Sequence, residues 1–73
     1  MNVFNSYQER EAKLHYMDGN FKILSPGTFV ICAITGKRIP LHELCYWSVA
    51  RQAPYADAAA SLEAEKRAGT LPY

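Results

Sequence analysis

Asp18 and Gly19 stand between two stretches of alternating polarity, and this arrangement commits the surrounding chain to an antiparallel hairpin. Before the pair, Ala12, Leu14 and Tyr16 fall on one face and Lys13, His15 and Met17 on the other. After it, Phe21 and Ile23 resume the alternation, and Asp-Gly itself suits a type I′ turn. Three further segments extend the pattern. Ser25-Pro26-Gly27-Thr28 has the composition of a type II turn, with Gly27 at the position that needs φ > 0. Phe29 to Ile34 is continuously apolar and reads as a central strand covered on both faces. Ile39 begins a short edge segment in which Pro40 lacks a ladder donor.

Leu41 to Leu44 reads as a single helical turn and Cys45 to Val49 as the last strand, with Cys45, Trp47 and Val49 facing the core and Tyr46 and Ser48 facing outward. From Pro54 a helix is expected to run to about Ala68, with Asp57 near its start, Lys66 and Arg67 near its end and Gly69 as its stop. Its apolar stripe is read as Tyr55, Ala58, Ala59 and Leu62, leaving the distal half for solvent or a partner. A capping pattern, Ser6 with Glu9, suggests a helical turn before the hairpin. The expected organisation is a single domain over residues 1–73: an N-terminal segment (1–11), an antiparallel sheet (12–52), a C-terminal helix (53–69) and a tail (70–73). The fold class is α+β, a small sheet of four to five strands followed by one helix.

At 73 residues the chain has room for one core, and a domain this small buries only about 60% of its unfolded surface. Nine aromatic residues supply an apolar core in place of a staple. The net charge of +1 excludes steering by a global field, although residues 12–52 hold five basic side chains against two acidic ones. No apolar stretch approaches the ~20 residues of a membrane span, and Met1-Asn2-Val3 lacks the features of a signal peptide. The expected compartment is the cytoplasm, where Cys32 and Cys45 are reduced thiols.

Pro26-Gly27, Cys32-Ala33-Ile34-Thr35-Gly36, Ile39-Pro40-Leu41, Leu44, Tyr46-Trp47-Ser48-Val49 and Arg51-Gln52 occur in an order and at separations that resemble a family of small bacterial proteins known as domain of unknown function 2093. The resemblance covers roughly Ala12 to Tyr55 and implies no activity, because none is established for the family. Two positions depart from its pattern: Cys45 stands where arginine is usual, and Ala53 where glutamate is usual.

Three groupings bear on chemistry. Cys32, His42 and Cys45, with His15 as a fourth candidate, are the ligands to be expected if the chain holds zinc. Cys32 to Gly36, however, is a zinc knuckle with threonine in place of the second thiol, and structural zinc wants four ligands. The preferred reading is a zinc-ribbon-like scaffold without metal, its place taken by aromatic packing, with Cys32 as a small buried residue. Cys45 with His42 would need a depressed thiol pKa and a water-excluding cleft to act as nucleophile and base, and a single small domain offers little to build that cleft from, so neither an enzyme nor a cofactor is expected. Tyr46, Arg51, Lys37 and Arg38 are the partner-binding candidates, since an exposed aromatic beside a guanidinium suits an interface hot spot or an unpaired base. The alternative for this group is internal packing. The expected function is a protein-protein interaction module or small accessory subunit, with a degenerate zinc-ribbon-like nucleic-acid-binding domain as the second reading.

Overall fold

The computed structural model describes residues 10–69. The expected N-terminal turn around Ser6 and the tail after Gly69 lie outside them. The element order is β1 (Lys13–Met17), β2 (Asn20–Ser25), β3 (Phe29–Ile31), β4 (Arg38–Pro40), a 3-10 turn (Leu41–Glu43), β5 (Tyr46–Ser48), β6 (Ala53–Tyr55) and α1 (Ala58–Ala68). The fold is α+β with antiparallel pairing and a C-terminal helix.

The single sheet of four to five strands is corrected to three two-stranded sheets, β1-β2, β3-β4 and β5-β6. The physical reason is ladder length and proline placement. β3, β4, β5 and β6 are three residues each, and Pro40 and Pro54 occupy ladder positions without an N–H to offer. Few backbone bonds run between the hairpins: Ala12 N–H donates to Phe29 O at 2.8 Å and Thr28 N–H to Arg10 O at 3.0 Å between the first and second, and Ala33 N–H donates to Pro54 O at 3.0 Å between the second and third.

The first hairpin forms where the sequence placed it, with Tyr16 opposite Phe21 and Met17 opposite Asn20. Its turn differs from type I′, because Gly19 takes φ +86° while Asp18 does not enter the positive region. Gly27 also differs: its φ is not positive, and its lack of a side chain serves close packing instead. A Cβ there would lie 2.6 Å from the carbonyl carbon of Glu11 and nearer still to Ala12 N and Arg10 O.

The apolar run from Phe29 breaks after Ile31, because Cys32 opens a tight turn that satisfies its own backbone. Pro54 and Tyr55, expected in the helix, form β6 opposite Trp47 and Tyr46. The helix therefore starts later. Asp57 caps it with extended backbone and a side chain that accepts from Ala60 N–H at 2.8 Å. Gly69 ends it at φ +73°. Moving the start rotates the docking face: Ala60 and Ala64 are buried, Ala58 and Ala59 are exposed, and Leu62 is 48% exposed.

The core gathers Ala12, Tyr16, Val30, Cys32, Ile39 and Leu44 from the hairpins around Tyr55, which is 1% exposed. Trp47 is half-buried and closes the hairpin side of this core. Its ring meets Tyr16 at 6.0 Å and the edge of Phe21 at 5.7 Å, and its indole N–H donates to Met17 O at 2.9 Å. Each such aromatic pair adds about 0.5–1.5 kcal/mol beyond burial. Cys45 and Val49, expected on the core face with Trp47, are both exposed, because three residues of strand are too few to hold the alternation past Trp47.

Candidate functional site

The Cys32 to Gly36 turn folds around its own sulfur. Cys32 Sγ accepts from Ile34 N–H at 3.4 Å, Thr35 N–H at 3.3 Å and, across the core, Ala56 N–H at 3.2 Å. Gly36 N–H donates to Cys32 O at 3.0 Å. Burial pushes the Cys32 thiol up, but the Thr35 hydroxyl and the N–H groups of Thr35, Ile34 and Ala56 together outweigh it and leave it below its ordinary value. Thr35, standing where a second thiol would stand in a knuckle, thus serves the sulfur that is present.

The other candidate ligands do not join it. Cys45 and His42 are exposed, and His42 Nε2 faces Glu43 at 3.5 Å. Among the described residues no three His, Cys, Asp or Glu side chains come together to hold a metal ion. No hydrogen bond links His42 to the Cys45 thiol.

The partner-binding candidates separate into engaged and open groups. Arg51 stands in the turn between β5 and β6, where its Nε donates to Tyr55 Oη at 3.2 Å and its terminal nitrogen pairs with Glu65 of α1. The Tyr55 hydroxyl, followed by Glu65, raises its already high pKa further. Arg51 therefore ties the third hairpin to the helix, and its aromatic neighbour is the buried Tyr55 in place of the expected Tyr46. Arg38 lies over the Phe29 ring at 4.3 Å, a diagonal contact across β3 and β4. Lys37 is exposed on that same turn, its N–H bonded to Thr35 Oγ1 at 3.3 Å.

Tyr46 is open as well, 40% exposed. With Trp47, Leu44, Cys45, Gly19 and Ser61 it lines a cleft of about 510 Å³ between the first hairpin, β5 and the helix. Two residues of consequence were missed in the sequence. Gln52 adopts φ +52° and uses its amide to bind Tyr16, and Glu65 holds Arg51 from 14 residues away. Gln52 stood inside the Arg51-Gln52 pair that carries the family resemblance, whereas nothing local marked Glu65.

Among the described residues no helix is long and apolar enough to cross a membrane. No curated protein and no solved structure matches the chain. The family model described as an uncharacterised protein conserved in bacteria, domain of unknown function 2093, matches residues 23–64, which takes in Cys32 to Gly36, Tyr46 and most of α1. The chain belongs to that family.

Proposed function

We propose that this chain is a non-enzymatic protein-protein interaction module, a small cytoplasmic accessory subunit that meets its partner through the cleft at Tyr46. The observation that carries the reading is the exposed tyrosine beside the half-buried Trp47 in an open cleft of about 510 Å³. Aromatic side chains that offer large area at low entropic cost are the usual anchors of protein interfaces. Arg38 and Arg51 favour the same reading, because both guanidinium groups are engaged by the fold and less available to phosphates.

A second reading, a degenerate zinc-ribbon-like nucleic-acid-binding domain using Lys13, Lys22, Lys37, Arg38, Arg51 and Tyr46, draws support from the knuckle pattern at Cys32. Affinity capture of the tagged protein from its host lysate, with and without nuclease, separates the two. A protein partner retained after nuclease and across a salt titration supports the first reading. Capture that falls steeply with salt and vanishes with nuclease supports the second.

A further inference from the structure

We propose that the outer edge of β2 takes a third strand, an extended segment of a partner protein in which an acidic residue is flanked by apolar ones. This rests on the interaction-module reading and gives it a surface apart from the Tyr46 cleft. β2 is six residues long and pairs only with β1. Tyr16 of β1 has both its N–H and its C=O bound by Gln52, so these groups point away from β2. Phe21 stands directly opposite Tyr16, so its own N–H and C=O point the other way, off the outer edge, and Ile23 repeats the orientation two residues on. The edge thus presents two donors and two acceptors that no group meets among the described residues. Such a row is answered in full only by another extended backbone.

Side chains select the occupant. Ile23 and Leu24 are the most exposed large apolar side chains of the described residues, at 57% and 68%. Ile23 shares a face with Phe21, whose ring already meets Trp47, so apolar partner residues opposite these two extend that cluster. On the other face Lys22 lies opposite His15, with Lys13 beyond, and all three are exposed. Neither strand contains Asp or Glu, and none of the three side chains enters an ion pair among the described residues. A carboxylate on the added strand beside Lys22 answers that charge, because opposite charges across a strand pair attract and like charges directly opposite destabilise. A second copy of this chain fails on the same rule. The antiparallel register that uses both outward-facing residues, Phe21 against the second copy's Ile23, sets Lys22 directly against its own counterpart. A nucleic acid answers the cations but brings no strand to the edge.

The test is selection of a random dodecapeptide library on the purified domain, followed by titration of the enriched synthetic peptide and amide hydrogen exchange read by NMR. The enriched peptides are expected to alternate apolar and acidic residues. On binding, exchange at the Phe21 and Ile23 N–H groups is expected to slow about tenfold or more, while the Lys22 N–H, already turned toward β1, changes little. Ile23→Pro removes one outward N–H without removing a bond between β1 and β2, and Lys22→Glu reverses the charge on the edge. Each is expected to weaken binding about tenfold or more. Ile23→Thr, which keeps the N–H, is expected to bind more tightly than Ile23→Pro. Lys66→Glu, at an exposed position of α1, alters net charge as much as Lys22→Glu and is expected to bind normally. Melting curves establish which variants are folded, and where Ile23→Pro is not, Lys22→Glu and the exchange pattern decide. The inference is overturned by the absence of a consensus, by a consensus without acids, by protection that does not single out Phe21 and Ile23, by equal losses in Lys22→Glu and Lys66→Glu, or by a random single-stranded RNA pool that binds and is released by Lys22→Glu. A lysate partner whose capture is indifferent to Lys22→Glu and Ile23→Pro also overturns it, while leaving the interaction-module reading intact.

Discussion

The side-chain amide of Gln52 pairs with the backbone of Tyr16 in both directions: Oε1 accepts from Tyr16 N–H at 2.9 Å and Nε2 donates to Tyr16 O at 2.9 Å. Nε2 also donates to Val49 O at 2.7 Å. The amide thus stands in for a neighbouring strand along β1 and joins the first hairpin to the turn of the third. Its left-handed backbone, φ +52°, is the conformational cost of presenting it.

Replacement of Gln52 tests that pairing. Gln52→Ala is expected to cost about 1–3 kcal/mol by leaving Tyr16 groups without partners. Gln52→Glu is expected to cost more at neutral pH, because an oxygen then faces the carbonyls of Tyr16 and Val49. The folded state then favours the protonated carboxyl, so the deficit shrinks as pH falls toward about 4. Urea unfolding at both pH values measures it, and a Gln52→Glu deficit independent of pH would show that the donor side of the amide contributes nothing.

Trp47 carries the packing between the first and third hairpins. Trp47→Ala is expected to cost about 3–5 kcal/mol, most of the stability of so small a domain. Trp47→Phe should retain ring packing but lose the bond to Met17 O, and fall between the two. Thermal unfolding reads the series. If Trp47→Ala keeps its melting temperature but loses a captured partner, the indole serves the cleft and not the fold.

Cys32 predicts a pH dependence of stability. Its folded value lies below the ordinary thiol value, so between the two the unfolded chain binds more protons and stability rises with pH. Relative to Cys32→Ala, the native chain is expected to gain stability as pH rises toward about 8.5 and to lose that gain below the folded value. Denaturant unfolding across this range measures the difference, and a decline with rising pH would show that burial outweighs the N–H donors. In a parallel measurement by mass spectrometry, iodoacetamide should modify the exposed Cys45 first and reach Cys32, 2% exposed, only on unfolding.

The helix is predicted to depend on its distal half. Ending the chain after Leu62 removes the buried Ala64 and the Glu65 partner of Arg51, and is expected to unfold the domain. Leu62→Ser, at an exposed position, should change stability by no more than about 0.5 kcal/mol. Circular dichroism distinguishes the two outcomes, and a folded truncation would return the docking face to the first turn.

What was legible in the sequence was local. The Asp18-Gly19 hairpin, the short edge at Pro40, the turn after it and the Gly69 end of the helix all depend on residues within a few positions of one another. The bonds from Ile34 and Thr35 N–H to Cys32 Sγ are local too, since both donors follow within three residues.

What only the tertiary structure decided was everything that required distant segments to choose among several partners. β6 was hidden because Pro54 at the start of a helix and Pro54 opposite Trp47 read alike until the third hairpin closes. Pairing β6 delays the helix and turns Ala60 and Ala64 inward in place of Leu62. The distant partners of Arg51, Gln52 and Trp47 lie 14, 36 and 30 residues away, and spacing along the chain holds no information about them. The sequence by itself determined where the chain turns, because turns are local. Which faces those turns bring together was settled by packing, because three short hairpins without a common ladder share few backbone bonds and are held largely by side chains reaching across from one to the next.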